Sequence, residues 1–302
     1  MTDRNKDNLF FIVDIGKLEA QAILLATSLH KHNEGCFNIY AYVPRDSLNG
    51  LSPITREVLS LAEIELVTFE VPPETWKKPY PHGNKILAAR LPRAGRWSAF
   101  LDTDLICTKR LDLTQIKRSN AVSVAPEGTP TWGYGTDRWQ RVYDHFDLAF
   151  PNETIRMARR KRIEFVPYFN AGFVLFEDGI LRSFGKGFGD LWLDTAREID
   201  FNCPVASKRP WLDQISLPVT LKRFELDYNI CPDEFNYAIS ARGYIPEFKP
   251  YFMHYHDFKW LSSWLSALEV FDWLKELFGD QTASMAISEF SNFYGQIESQ
   301  VQ

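Results

Sequence analysis

The chain has 302 residues, of which 45% are hydrophobic and 24% charged, and its formal net charge is −5 at pH 7. This composition is typical of a globular protein with enough apolar material for a large core. The acidic balance disfavours nucleic acid as a partner, because binding a phosphate backbone requires a basic surface.

The N-terminal residues are polar and mixed in charge, which is unlike a secretory signal. No apolar stretch approaches the roughly 20 residues that a membrane-spanning helix needs. The four cysteines (Cys36, Cys107, Cys203 and Cys231) show neither CxxC pairing nor metal-ligand spacing, so we interpret them as buried thiols. These features together predict a cytoplasmic protein without a transmembrane segment.

The first part of the chain alternates short apolar runs with segments of helical periodicity. The predicted strands are 9–13, 38–43 and 64–69, and the predicted helices between them are 18–32 and 55–61. The first of these strands, 9–13, is wholly apolar, as expected of a strand that is buried on both faces, and alternation of strands with helices is typical of a parallel sheet. The sequence therefore predicts an α/β fold with a Rossmann-like, mainly parallel mixed sheet flanked by helices.

A second group of elements follows a proline-rich loop. We predict a helix over 84–91 and strands over 98–101, 121–125 and 171–176. The segment 129–151 is rich in Gly, Trp and Tyr, which indicates a loop-bearing insertion over a site.

After Trp260 the sequence predicts two aromatic amphipathic helices, over 261–278 and 284–297. A membrane surface or another protein surface could cover the apolar face of the first helix. Its polar face is mainly acidic, which favours packing over binding to anionic lipid. We expect a catalytic domain over 1–260 and a helical C-terminal extension over 261–302, packed on that domain or on a second copy of the chain in a homo-oligomer.

The motif that carries most chemical information is Asp102-Thr103-Asp104, which directly follows the strand predicted over 98–101. Residues two apart on a strand point to the same side, so the two carboxylates are expected to converge. Two adjacent carboxylates repel each other unless a cation neutralises them, and a divalent metal can also bridge to phosphate oxygens. The motif therefore indicates a metal site at the carboxyl end of a strand, where open α/β sheets bind ligands.

With this motif the sequence resembles the A-type glycosyltransferases, and among them the retaining family eight, which includes glycogenin and bacterial lipopolysaccharide galactosyltransferases. The resemblance spans residues 9–260. It rests on a basic helix before the acidic pair, a Phe-Asn-Ala-Gly strand, a Trp-Leu-Asp-Gln motif, a Tyr-Asn pair and a late histidine. These lie at 84–91, 169–172, 211–214, 228–229 and His254.

The resemblance implies a hexosyltransferase that uses a nucleotide sugar, UDP-linked, and retains the anomeric configuration. It implies Mn²⁺ or Mg²⁺ held by Asp102, Asp104 and His254, and a reacting centre at Asp213 and Gln214. The implied nucleotide-sugar-binding residues are Val13, Asp14, Lys85, Asp102, Asn170 and Lys259.

Several of these residues have a structural alternative. Lys85 could be a surface lysine on an amphipathic helix, Asn170 could cap a turn, and Asp213 could be a helix N-cap. His256 competes with His254 as the metal ligand, since both would point to one face of an extended segment.

The sequence also departs from the family. Asp257 replaces a small residue, no proline lies between Lys259 and Trp260, and the first strand lacks a tyrosine that often stacks on uracil. The first two differences affect the contact expected between Lys259 and the diphosphate, and the third affects the identity of the base.

Two other functions fit the same fold class. A non-catalytic carbohydrate-binding or scaffold protein is disfavoured by the intact acidic pair. A sugar nucleotidyltransferase normally has a Gly-rich phosphate loop after its first strand, whereas the segment 14–18 contains one glycine. The acceptor, whether glycan, lipid-linked or protein, stays open at this point.

Overall fold

The structure is a computed structural model that describes residues 3–159, 163–179, 181 and 183–298. The strands are β1 (Asn8–Ile12), β2 (Asn38–Pro44), β3 (Glu65–Phe69), β4 (Trp97–Leu101), β5 (Leu105–Cys107), β6 (Ala121–Pro126), β7 (Ile155–Arg156), β8 (Glu164–Phe165), β9 (Phe169–Glu177), β10 (Asp227–Ile230), β11 (Tyr237–Ala238) and β12 (Phe252–His254). The helices are α1 (Lys17–Asn33), α2 (Pro53–Leu61), α3 (Asn84–Ala89), α4 (Arg138–His145), α5 (Phe188–Phe201), α6 (Leu212–Arg223), α7 (Leu265–Glu289) and α8 (Ser291–Glu298).

The predicted fold class is confirmed: the protein is mixed α/β, with a mainly parallel central sheet flanked by helices. The chain forms two compact units that alternate along the sequence. The first unit contains the residues up to Glu70, Leu101–Leu113 and the residues from Pro232 onward. The second unit contains Val71–Phe100 and Thr114–Cys231.

The first unit carries the parallel strands β1, β2 and β3, in that order, and a small sheet in the order β11-β12-β5. Every residue of β1 and β2 is buried, as their apolar sequences predict. Helix α1 begins after Gly16, whose φ of 84° ends the extended segment, and the Glu19 carboxylate accepts the Gly16 N–H at 2.9 Å. The carboxylate thus satisfies one of the free N–H groups at the start of the helix.

The second unit carries the strand order β10-β6-β9-β4, in which β10 and β6 are parallel and β6 and β9 antiparallel. Helices α5 and α6 pack on each other, α3 packs on α5, and α6 packs on β9. The antiparallel pair β6 and β9 contains a register shift between Val124 and Ala125, at the end of β6 that leads to the candidate site.

The C-terminal helices differ in their limits from the prediction. The residues 258–263 form a 3₁₀ turn, and α7 begins only at Leu265. Its path is broken at Gly279, which has φ of 86°, and the second predicted helix is divided between α7 and α8. A left-handed residue cannot continue an α-helix, so the periodicity on either side of Gly279 belongs to separate segments.

Helices α7 and α8 pack within the first unit, where α7 contacts α1 and α2. The Tyr294 hydroxyl donates to the carbonyl of Ala20 at 2.8 Å, and Lys31 pairs with Glu276 at 2.6 Å. Among the described residues, no helix is both long and apolar enough to cross a membrane. Of the four cysteines, Cys36 is half-buried rather than buried, because it lies in the exposed turn after α1.

Candidate functional site

The acidic pair lies in the turn between β4 and β5, directly after the strand as predicted, but not in the extended conformation from which the convergence of its carboxylates was inferred. Thr103 is buried between the two acids, and its hydroxyl donates to the carbonyl of Ile12 at 2.6 Å, which fixes the turn at the end of β1. The carboxylates of Asp102 and Asp104 therefore converge because of the turn, and not because strand side chains alternate.

His254 reaches the acidic pair through strand pairing. It is the last residue of β12, which pairs antiparallel with β5, and it lies opposite Leu105. Asp104, Asp102 and His254 each offer a ligand atom, and these atoms lie within 4.8 Å of one another. His254 is buried, and the two acids are half-buried.

The imidazole of His254 is oriented by Asn236. The Nδ1 atom lies 2.8 Å from Asn236 Oδ1, and the Nε2 atom lies 3.1 Å from Asp104 Oδ1. An amide oxygen only accepts, so Nδ1 donates to Asn236 and Nε2 is the ring atom that faces the Asp104 carboxylate. At this distance Nε2 either carries a proton and donates it to the carboxylate, or shares a metal cation with it.

The electrostatics of Asp104 favour its charged form. Burial raises the pKa of this carboxyl, but attraction to His254, the hydrogen bond with it and attraction to His256 outweigh burial and hold the pKa below its usual range. A permanently charged carboxylate beside a second one and an imidazole is a ligand set that suits Mn²⁺, and the oxygens also suit Mg²⁺. The residues present therefore fit a divalent cation.

His256 takes a different position from His254. Its ring stacks on that of His254 at 3.9 Å between centroids, and its Nδ1 lies 3.2 Å from the Ser240 hydroxyl. It is not part of the group of three converging ligand atoms. Its φ of 61° turns the chain at this point, which ends the alternation on which its prediction as a rival ligand depended.

Three other residues of the first unit were predicted to bind the nucleotide sugar, and their contacts give less indication of a binding site. Val13 is fully buried and its N–H donates to Tyr42, while the half-buried Asp14 carboxylate accepts from the N–H of Ile15 at 2.8 Å. Lys259 is exposed, with its Nζ atom 5.5 Å from the centre of the Trp260 ring. Lys17, which the sequence analysis did not select, pairs with Asp257 at 3.3 Å.

In the second unit, Lys85 and Asp213 form a buried ion pair with 3.1 Å between Nζ and Oδ2. Lys85 also donates to the carbonyl of Ala171 at 3.2 Å. The surface-lysine alternative is therefore wrong. Asp213 is not an N-cap either, since α6 begins at Leu212 and Trp211 is the capping residue.

Tyr80 supports Asp213, and the sequence analysis missed it. Its hydroxyl lies 2.8 Å from Asp213 Oδ1, accepts the Asp213 N–H at 3.0 Å and lies 2.7 Å from the carbonyl of Pro210. Burial and the neighbouring Asp213 charge raise the pKa of Tyr80 well above its usual value, so the phenol stays protonated. Asp213 is thus held by a tyrosine and a lysine that lie five residues apart in the sequence.

Asn170 and Gln214 are each tied to a residue that the sequence analysis did not select. Asn170 is buried; its Nδ2 donates to Glu127 at 2.9 Å and its Oδ1 accepts the N–H of Gly172 at 2.9 Å. Gln214 is half-buried, and its Oε1 accepts from the Tyr168 hydroxyl at 2.8 Å. This hydrogen bond orients the Gln214 amide, because only the amide oxygen can accept the hydroxyl proton.

Comparison with known proteins identifies a glycosyltransferase family. The model of the Rhodobacterales glycosyltransferase domain matches residues 9–225. The chain belongs to this family. No curated protein matches the sequence. The match ends before His254, so the third residue of the candidate metal group lies beyond the segment that defines this glycosyltransferase family.

Solved structures show the same fold. The glycosyltransferase is similar to the apo form of mouse xyloside xylosyltransferase 1, with 12% identity, a TM-score of 0.51, and coverage of 83% of this chain and 97% of that one. It is also similar to the apo structure of the bifunctional glycosyltransferase WbbM, with 14% identity, a TM-score of 0.60, and coverage of 96% of this chain and 52% of that one. The predicted A-type glycosyltransferase fold is thereby confirmed.

Proposed function

We propose that this glycosyltransferase is metal-dependent and transfers a hexose from a UDP-sugar to an acceptor hydroxyl with retention of configuration, as in the family eight that its motifs resemble. The observation that carries the proposal is the convergence of Asp102, Asp104 and His254, in which Nε2 of the imidazole lies 3.1 Å from the Asp104 carboxylate. Such a group is costly to assemble without a cation.

In this proposal Asp102, Asp104 and His254 hold Mn²⁺ or Mg²⁺. When bound there, the metal would neutralise the negative charge that develops on the diphosphate as the glycosidic bond breaks. Asp14 accepts from the base imide beside the backbone of Val13, and Lys259 contacts the diphosphate.

For the sugar itself the proposal uses Lys85, Asn170, Asp213 and Gln214. Asp213 accepts from donor hydroxyls with its charge fixed by the Lys85 ion pair, and Asn170 contacts the sugar from a position set by Glu127. Gln214 lies near the anomeric carbon in the related enzymes, and the bond from Tyr168 fixes its side chain. Proximity of the acceptor hydroxyl contributes a large share of the rate enhancement.

The test is metal-dependent release of UDP from a panel of UDP-sugars, with Mn²⁺ and then with EDTA. The Asp104→Asn variant keeps the side-chain volume but removes a charge, so UDP release should fall at least about a hundredfold while circular dichroism stays unchanged. Asp280→Asn, on the exposed side of α7, is the matched control and should behave as the parent does.

Parent activity that survives EDTA, or an Asp104→Asn variant as active as the parent, would contradict the metal assignment. A parent that binds Mn²⁺ and UDP but turns over no donor would favour the non-catalytic alternative. When a product forms from an α-linked donor, its NMR spectrum should show an α-linkage.

A further inference from the structure

The insertion between β6 and α4 is a loop held in place by ring packing and hydrogen bonds. Trp132 and Trp139 are both buried and meet edge to face at 4.9 Å between ring centroids. The Trp139 indole donates to the carbonyl of Trp132 at 3.1 Å, and the Trp132 indole donates to Ser207 at 2.8 Å. Thr136 closes the turn by donating its N–H and its hydroxyl to the carbonyl of Gly133.

Two glycines of this turn force the residue between them outward. Gly133 and Gly135 have φ of 75° and 65°, in the left-handed region. A Cβ atom at Gly133 would lie 2.6 Å from Trp139 Cδ1, so no larger residue fits there. Tyr134 lies between them and is 63% exposed. The core of the loop thus presents one large aromatic ring to solvent in a defined orientation.

The exposed ring is connected to the proposed reacting centre within the second unit. Tyr134 contacts Phe165 at 6.0 Å between centroids, and Phe165 contacts Tyr168 at 6.4 Å. The Tyr168 hydroxyl binds both Gln214 and the hydroxyl of the exposed Thr131, at 2.8 and 2.9 Å. Two ring contacts therefore separate Tyr134 from the residue that holds Gln214.

We propose that Tyr134 and Phe165, here called the Tyr134 platform, form a stacking subsite for a saccharide acceptor. The inference rests on the proposed glycosyl transfer. Pyranose rings have apolar C–H faces, which match an uncharged aromatic face. A rigid aromatic ring on an ordered loop also binds with little loss of conformational entropy.

The platform is assigned to the acceptor because its ring contacts lead through Tyr168 to Gln214, the residue proposed to lie near the anomeric carbon that the acceptor attacks. The acceptor expected from this geometry has at least one sugar residue beyond the one that carries the attacking hydroxyl, because the platform reaches Gln214 only through Tyr168.

The experiment uses the full chain with Mn²⁺ and the best UDP-sugar, and adds maltose, lactose, cellobiose or xylobiose and the corresponding monosaccharides. UDP release above the rate of donor hydrolysis reports acceptor use, and saturation-transfer NMR reports saccharide binding directly. We expect disaccharides to bind and to stimulate more strongly than monosaccharides. The Tyr134→Ala variant should raise the half-saturating disaccharide concentration about tenfold, because it loses one stacking contact. Its rate of donor hydrolysis should equal that of the parent.

Tyr134→Phe and Tyr134→Trp keep an aromatic face and should retain saccharide binding. Phe184→Ala is the matched control, because Phe184 is another exposed aromatic residue of the second unit, at 38% exposure. It should leave both measurements unchanged.

Three results would overturn the assignment. The first is a Tyr134→Ala variant whose half-saturating concentration equals that of the parent. The second is a loss of donor hydrolysis in that variant, which would assign Tyr134 to the donor. The third is that no saccharide of the panel binds to the parent or stimulates its UDP release. A parent that hydrolyses no donor but still binds disaccharides through Tyr134 would contradict the proposed function and leave the platform supported.

Discussion

At the scale of single residues, the candidate metal group depends on the ring orientation of His254. Asn236 is buried, and its amide oxygen lies 2.8 Å from His254 Nδ1. This contact keeps a proton on Nδ1 and directs Nε2 at Asp104, so that Nε2 is the ring atom that can bind a metal once it gives up its own proton. Partners of this kind are often as important for metal affinity as the ligands themselves.

We therefore expect Asn236→Leu to weaken Mn²⁺ binding about 10–100-fold, because the ring loses the acceptor that fixes its tautomer. Isothermal titration with Mn²⁺ measures the effect. Asn236→Asp keeps an acceptor at the same place and should lose less. Ser240→Ala, which removes the contact to the stacked His256, is the control. Equal affinity in Asn236→Leu and the parent would show that the tautomer is fixed by another group.

The sequence allows some of these residues to be predicted and not others. The acidic pair is recognisable because it directly follows an apolar strand, and Lys85, Asn170 and Asp213 stand out through the family resemblance. Tyr80, Glu127, Tyr168 and Asn236 carry no comparable signal, because each acts through a contact with a residue far away along the chain. Among these four, Glu127 has the one feature visible in the sequence, since it directly follows an apolar strand as Asp102 does.

At the scale of secondary-structure elements, the position of Lys85 depends on how closely α3 and α5 approach. Gly189 lies in the first turn of α5, and a Cβ atom there would lie 2.5 Å from the carbonyl oxygen of Ala89 and 2.6 Å from the nitrogen of Arg90. Both atoms belong to the backbone at the end of α3, so they cannot move aside as a flexible side chain can. The two helices pack at backbone distance, and α3 carries the lysine that pairs with Asp213.

The Gly189→Ala variant should accordingly lower the free energy of unfolding by about 1–3 kcal/mol, since the added methyl group pushes α3 and α5 apart. Gly295→Ala is the matched comparison. Gly295 lies in α8 with no atom within 4 Å of the added Cβ, so this change should raise the free energy of unfolding by about 0.5–1 kcal/mol. Urea denaturation measures both, and equal effects in the two variants would contradict the close packing of α3 and α5.

Most elements are predictable because they are buried runs with a clear period, as in β1, β2 and α1. The register shift in the β6–β9 pair and the break at Gly279 are not, because both depend on packing against other elements rather than on local periodicity. The same limit applies to the acidic pair: the sequence places the end of β4 correctly at Leu101, but it does not show that the chain turns over 102–104 before β5 begins.

At the scale of the whole molecule, the protein carries a titratable group at a helix–helix contact of the first unit. His32 lies in the last turn of α1 and meets Trp273 of α7 edge to face at 4.9 Å. Its Nε2 atom is buried and has no hydrogen-bond partner among the described residues. Burial, and then the charges of Lys31 and Lys249, lower the pKa of His32 below its usual value of 6.5.

The lowered pKa means that the folded state prefers the neutral ring, whereas the unfolded chain takes up a proton near pH 6.5. The stabilisation is present above that pH and is lost as the pH falls from 6.5 towards the folded-state value. The free energy of unfolding should therefore drop between pH 7 and pH 5, by at most about 1.4 kcal/mol per pH unit from this residue.

Chemical denaturation of the parent and of His32→Gln across this range checks the prediction, and the variant should show a shallower slope. His82→Gln, which changes an exposed histidine, is the control. Identical slopes in the parent and in His32→Gln would show that other groups control the acid sensitivity.

The pairing of β5 with β12 has a consequence for the order in which the protein becomes complete during synthesis. Asp102 and Asp104 precede β5, whereas His254 ends β12, close to the C-terminal helices. A chain growing on the ribosome contains both acids long before it contains the imidazole. A nascent chain, or one terminated before β12, thus has an incomplete ligand set, and only a polypeptide that extends through β12 can assemble all three.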